Sequence, residues 1–328
     1  MKSNCLFIIL LLINSITYCQ IIKGSVIDKK TKQPIIFASV FFDGTSHGTT
    51  TNLEGYFELD ISSYSYLPIT ISAIGYKTQT CTEFYLKKEN TIVLMPKVFE
   101  LNEVVVKIKS LVKKRKKNIR LFKEIFLGAT ESHCKILNEE VLRFDYDNKD
   151  SLKAWVSEPL KIHNEYLGYL ITYDLHKFEY DRDKKTFFFK GYTFFSQDSA
   201  ATNTKNIDYV KRRKSVYKGS RMHFIRSLWL NTLKDAGFKV TDPYGDFIDI
   251  ESLVSFETSG KTYVNFIKDQ ELQIHYAGDI SSIIFKKNRV RIFSSGYTEP
   301  NGFFWQGVMV NQRIAHMLPF DYQHYVSD

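Results

Sequence analysis

Only four cysteines occur in the 328 residues, at positions 5, 19, 81 and 134. Two lie in the first twenty residues, and Cys81 and Cys134 fall in different segments. No disulfide framework is therefore expected, and ordinary hydrophobic cores must hold the fold. Apart from Leu6 to Ile13 the chain has no long apolar run, which argues against a helical membrane span. No Gly-x-Ser-x-Gly nucleophile elbow surrounds Ser220, which has Lys218 and Met222 at the two glycine positions.

The one apolar run that is there follows a single lysine and precedes the small or polar Ser15 and Thr17. It is too short to cross a bilayer and reads as residues 1–19 of a signal peptide, cleaved near Cys19 and Gln20. Export to the periplasm or the outer-membrane periphery is the expectation. Lipidation at Cys19 is the alternative, opposed by the bulky Tyr18 where a lipobox takes a small residue. Composition is 44% hydrophobic and 25% charged, with 26 Phe and 20 Tyr, which favours strands. The net charge of +9 is concentrated in Lys113–Lys117 and Lys211–Lys214. For an exported chain nucleic acid is a poor partner; a solvated helix face is the first reading and anionic lipid the second.

From Ile22 to Leu94 apolar residues alternate in short runs: Ile22 with Gly24 and Val26, Ala38 with Val40, Phe57 with Leu59 and Ile61, Ile69 with Ile71, Ile92 with Leu94. A period of two marks strands with one buried face, and Asn52 with Gly55 has tight-turn chemistry. Residues 20–98 are expected to form a small antiparallel sandwich, with Gly75 at a bulge or close backbone approach.

The residues Gly24-x-Val26-x-Asp28, Thr31 and Pro34, the run from Gly44 to Phe57, Ile74-Gly75-Tyr76-Lys77 and Leu101 to Val106 resemble the carboxypeptidase regulatory-like domain. That family is common in Bacteroidota envelope proteins. The resemblance implies a transthyretin-like β-sandwich serving as an accessory module, and it transfers no catalytic residue. A transporter fragment is disfavoured, because no plug or barrel strands follow Val106.

Residues 99–129 read as an extended segment and a basic amphipathic connector helix, with Leu111, Val112, Ile119, Phe122, Ile125 and Phe126 on its apolar side. Residues 130–328 read as an α+β domain: strands near 141–146, 153–156, 167–180 and 186–195, a mobile polar loop at 196–206, and a helix capped by Ser220 and stopped near Gly237. The fold class is thus mainly β: an N-terminal transthyretin-like β-sandwich, then an antiparallel-sheet domain with one principal helix pair. Stretches such as Cys134–Asn138, Gly219–Leu228 and Arg313–Tyr322 resemble the C-terminal region of short, barrel-less Bacteroidota proteins that carry the regulatory-like domain. That resemblance implies no assigned activity.

No cofactor or metal is expected. His176 and Glu179 have the His-x-x-Glu spacing of zinc carboxypeptidases, but three residues apart on a strand they point to opposite faces unless a bulge intervenes. Asp145-x-Asp147-Asn148-x-Asp150 imitates a calcium loop, yet Lys149 and the missing glycine favour a turn. Trp155, Trp229 and Trp305 read as core residues ahead of a sugar platform. Tyr217, Ser220, Arg221, His223 and Arg226 form a candidate polar cluster, suited to an acidic group or to fixing a helix. The function expected is non-catalytic binding or scaffolding in the envelope, with a protein or glycan partner. The alternative is an envelope or glycan hydrolase working through His223 and Arg226.

Overall fold

The computed structural model describes residues 20–64, 67–81, 84, 89–97, 108–128, 133–146, 150–198 and 203–324. The segment 1–19, the motif Leu101–Val106 and positions 147–149 of the acidic turn lie outside these residues. The chain is mainly β and divides into two compact units, residues 1–43 with 47–102 and residues 44–46 with 103–328.

Among the described residues the first unit is a sandwich of seven strands: β1 (Ile21–Asp28), β2 (Ser39–Phe42), β3 (Gly48–Thr50), β4 (Tyr56–Asp60), β5 (Ile69–Ser72), β6 (Gln79–Cys81) and β7 (Glu89–Leu94). One sheet runs β4-β1-β7 and the other β3-β2-β5-β6. Alternation along the strands buries Val26, Phe57, Leu59, Ile92 and Leu94 from the first sheet, and Val40, Phe42, Ile69 and Ile71 from the second. The β1–β7 pair is parallel, unlike the all-antiparallel sandwich expected. The intervening strands separate the two, so no hairpin constrains their relative direction.

Motif residues serve the turns. Asn52 Oδ1 accepts the N–H groups of Glu54 and Tyr56 at 3.1 and 2.8 Å, and Gly55 takes φ +72°. Asp28 accepts the N–H groups of Lys30 and Thr31 and the Tyr76 hydroxyl, and the Thr31 N–H first, then Tyr76, hold its carboxyl below the ordinary range. Gly75 is neither a bulge nor a close approach: nothing lies within 4 Å of where its Cβ would be, and its φ of +82° makes a turn. The close approach is at Gly24, on the central strand of its sheet, where a Cβ would sit 2.4 Å from Asn90 O and 2.9 Å from the Phe57 ring. Gly24→Ala is expected to destabilise the sandwich by about 1–3 kcal/mol, read by urea unfolding of the full chain. A change within a few tenths would refute that steric account.

The second unit opens with α1 (Ile108–Leu127). There follow β8 (Cys134–Ile136), β9 (Leu142–Phe144), β10 (Ser151–Val156), β11 (Leu160–Asn164), β12 (Tyr169–Asp181) and β13 (Phe187–Gln197). They form one sheet in the order β8-β11-β12-β10-β9, with β13 paired to the long β12. The β12–β13 hairpin turns where expected, with Asp181 Oδ1 accepting Asp183 N–H and Lys184 N–H. Phe122 and Phe126 of α1 meet the sheet at Phe178 and Tyr173, with centroids 4.7 and 5.1 Å apart. Val112 departs from the expected apolar side and is 54% exposed.

Two further helices are α2 (Asn203–Tyr217) and α3 (Arg221–Leu230). Residues 203–206, expected as the end of a mobile loop, are helical; their polar composition hides the helical period. α3 ends earlier than Gly237, at Asn231, whose left-handed φ of 59° closes the helix as a glycine would. Beyond it lie β14 (Phe238–Thr241), β15 (Val254–Phe256), β16 (Thr262–Asn265), β17 (Glu271–Tyr276), β18 (Asp279–Phe285), β19 (Arg289–Ile292) and β20 (Phe303–Gly307). These make sheets β14-β17-β18-β20 and β15-β16-β19.

Among the described residues the second unit therefore holds two hydrophobic cores where one was expected. One joins α1, the first sheet and Ile314, Ala315 and Leu318; the other joins α3 to the later sheets. Met222 of α3 belongs to the first, and Phe224, Ile225 and Leu228 to the second.

Candidate functional site

The structure brings four of the five cluster residues into one contact network around the start of α3. Ser220 is buried and caps the helix, its Oγ accepting the backbone N–H of His223 at 2.9 Å. The His223 ring turns back, and Nδ1 accepts Gly219 N–H at 3.1 Å. Its faces and edges meet Tyr217, Phe238 and Tyr276 at centroid distances of 4.8, 4.9 and 5.8 Å. Burial in this aromatic box, then the nearby His324, Lys218 and Arg226, pull the His223 imidazole down to about 4. The ring is neutral at pH 7.

Arg226 is a clamp. Its Nε donates to Ser295 O at 3.0 Å, Nη1 to Tyr322 O at 2.8 Å and Nη2 to Phe320 O at 3.1 Å. The guanidinium also lies 5.5 Å from the Tyr217 ring centroid. Tyr217 is buried and further contacts Tyr322 and His324 at 5.7 and 4.7 Å. Burial raises its phenol above the ordinary value. Arg221 stands apart: it is half-buried and donates no hydrogen bond to any described residue, and burial lowers its guanidinium.

Next to this network lies a recess of about 260 Å³, lined among others by Tyr169, Arg213, Lys214, Asp321, Tyr322 and His324. Arg213 donates to Leu167 O at 2.8 Å and Gly168 O at 3.2 Å, and its guanidinium sits 4.0 Å over the Tyr169 ring. Burial pushes the Tyr169 phenol up to about 12, so it is a neutral donor. The sequence marked Lys211–Lys214 as a charge run without placing it here. The available signal was Tyr209, Arg213 and Tyr217 at helical i, i+4 spacing, which puts a cation between two aromatics on one face.

The other candidates resolve individually. A register shift between Leu175 and Lys177 supplies the bulge that could bring His176 and Glu179 together. Their partners are elsewhere: His176 Nε2 is 3.4 Å from Asp174 Oδ2, and Glu179 pairs with Lys177 at 3.0 Å and Lys153 at 3.8 Å. Among the described residues no three His, Cys, Asp or Glu side chains gather as metal ligands. Trp229 and Trp305 pack on the second core, whereas Trp155 is 42% exposed on β10. Burial pushes the Cys134 thiol up to about 12, which makes it unreactive. A separate, more apolar hollow of about 430 Å³ is lined by Leu233, Phe238, Val240, Phe247 and Ile250.

Residues 22–106 match the family model of the CarboxypepD_reg-like domain, in agreement with the motifs of the first unit. No curated protein matches the chain. Among solved structures, a 9R-lipoxygenase from Cyanothece PCC8801 is 9% identical over 63% of this chain and 48% of its own, with a TM-score of 0.19. This chain thus spans about half that enzyme's length. A Bacteroides fragilis NCTC 9343 protein of unknown function, classed as membrane-associated, is 7% identical over 88% of this chain and 92% of its own, with a TM-score of 0.18. TM-scores this low fall short of a common fold.

Proposed function

We propose that this protein is a non-catalytic binding or scaffolding component of the cell envelope, exported to the periplasm or outer-membrane periphery. The regulatory-like sandwich, a module without catalytic residues, would be its accessory interaction domain. The observation that carries the reading is how the candidate cluster spends its polar atoms. A nucleophilic serine needs a general base within hydrogen-bond reach, most often an imidazole nitrogen. Here Ser220 Oγ is engaged by the backbone N–H of His223, the ring's Nδ1 takes Gly219 N–H, and Arg226 donates to three carbonyls. The hydrolase reading would have to dismantle the N-cap and the clamp before chemistry could start.

Anionic lipid is the second partner, and one feature of α1 favours it. Lys113, Lys116, Lys117 and Arg120 are exposed, recur at i, i+3, i+4 and i+7, and make no ion pair or hydrogen bond among the described residues. The opposite face is buried through Phe122 and Phe126, so contact with a membrane would be electrostatic, without insertion. Each such cation contributes about 1 kcal/mol near an anionic surface.

In-cell cross-linking with membrane fractionation tests both readings at once, on the wild type and on the variant carrying Lys113→Gln, Lys116→Gln, Lys117→Gln and Arg120→Gln. The expected result is a defined outer-membrane partner for both proteins, with membrane association weakened in the variant. A partnerless monomer would overturn the scaffolding reading, and equal sedimentation of the two proteins would overturn the lipid contact.

A further inference from the structure

We propose that the recess beside α2 is a binding site for a small anion bearing a phosphate or carboxylate group. The site is built from Tyr169, Arg213, Lys214, Tyr322 and His324, none of which carries the envelope reading, so either can fail alone.

The recess carries more donors than the protein satisfies. Lys214 Nζ makes no hydrogen bond or ion pair with any described residue, although the residue is only partly exposed. Arg213 commits Nε and Nη2 to the carbonyls of Leu167 and Gly168, which fixes the guanidinium plane and leaves Nη1 without an acceptor among the described residues. The hydroxyls of Tyr169 and Tyr322 and both ring nitrogens of His324 likewise have no hydrogen-bond partner among the described residues. Such groups converging on a concave surface are the usual makings of a polar ligand site.

Charge selects the ligand. Among the described residues Asp321 is the one carboxylate in the lining, and it already accepts the backbone N–H of Ser46, at 3.1 and 3.2 Å to its two oxygens, and the Ser46 hydroxyl. Against it stand Arg213 and Lys214, with Lys218 and Arg226 close enough to disfavour protonation of His324. A concave, cation-lined surface focuses its field on an incoming anion. Sites for drug-sized ligands start at about 300 Å³, so a recess of about 260 Å³ suits one anionic group with a short carbon skeleton.

Proton linkage supplies a signature. His324 contacts Tyr217 and faces Lys214 of α2, Lys218 just beyond its end, and His223 and Arg226 of α3, with Asp321 and Tyr322 on its own segment. Burial and then these cations hold its imidazole below 6.5. A bound anion favours the imidazolium, so binding takes up a proton at His324 and, for a carboxylate that stays ionised, tightens as pH falls from 8 to 6; a phosphate group itself protonates in that window, which opposes the trend.

The test is calorimetric titration of the full chain with inorganic phosphate, glucose 1-phosphate, succinate and glucose, with the His324 C2–H resonance followed by NMR. Saturable binding of at least one anion is expected, with the His324 titration moved upward. Lys214→Gln should weaken it about two- to fivefold, the loss of one partly exposed charge. Lys184→Gln, at the exposed β12–β13 turn, should leave it unchanged. Tighter binding of the ester than of phosphate assigns a phosphorylated metabolite; equal binding assigns the free anion; succinate alone assigns a carboxylate. Binding of glucose alone, failure of every anion to saturate, or equal weakening by the two lysine variants would overturn the proposal. Should Lys214→Gln misfold, His324→Gln takes its place, and unchanged affinity and pH dependence in that variant would count against the site.

Discussion

Arg226→Met lowers the unfolding free energy by about 3–5 kcal/mol, the largest effect expected of any single substitution in the α3 cluster. Three carbonyls, those of Ser295, Phe320 and Tyr322, lose a charged donor at once. Hydrogen bonds to charged groups contribute about 1.5–3 kcal/mol each, and their loss is not fully additive. Methionine keeps most of the aliphatic stem, so the loss reports on the guanidinium more than on packing. Arg226→Lys recovers only part, since an ammonium on that stem cannot span three carbonyls in a plane. Urea unfolding of the full chain with a probe in the second unit measures both. A methionine variant within about 1 kcal/mol of wild type would mean that water replaces the guanidinium without penalty.

The second large effect is a pH dependence. His223 has an ordinary pKa of 6.5 and is drawn down to about 4 in the fold, so the native state resists a proton that the unfolded chain accepts. Above about pH 6.5 both states are neutral and the stabilisation is complete. Between pH 6.5 and about 4 the unfolded chain binds the proton first and stability falls, by about 2–3 kcal/mol for this half-buried ring. His316 and His324 are shifted in the same direction, mainly by burial, and steepen the decline. His223→Asn offers Gly219 N–H another acceptor but cannot titrate. The stability gap between wild type and this variant should therefore narrow as pH drops from 7.5 to 4.5, followed by urea midpoints. A gap that stays constant would show that the ring is as easily protonated in the fold as in the open chain.

The sandwich was legible in the sequence because each device there is local. Alternation from Ile22 to Val26 and from Phe57 to Ile61 reports a buried face, and Asn52 with Gly55 makes its turn within five residues. Gly24 was seen as part of a motif, but only the structure shows why nothing larger fits between Phe57 and Asn90. In the second unit β12, β13 and the Ser220 cap were readable for the same local reasons. β11 was missed because Lys161 and His163 dilute a short run that pairing with β8 and β12 turns into a strand. The division into two cores was hidden, since a period of two tells which residues are buried but not against which sheet. The candidate cluster was found by its helix-start pattern, while the recess joins Tyr169, Arg213 and His324 across distant segments, a juxtaposition that only folding creates.

Because Met222 is seated in one core and Phe224, Ile225 and Leu228 in the other, α3 belongs wholly to neither. Opening either core exposes a face of the same ten-residue helix, and the loss is passed to its neighbour. The two cores of the second unit are accordingly expected to melt together, in one calorimetric step. A truncation that removes either core of the second unit is expected to leave the other with one face of α3 uncovered, and so less stable.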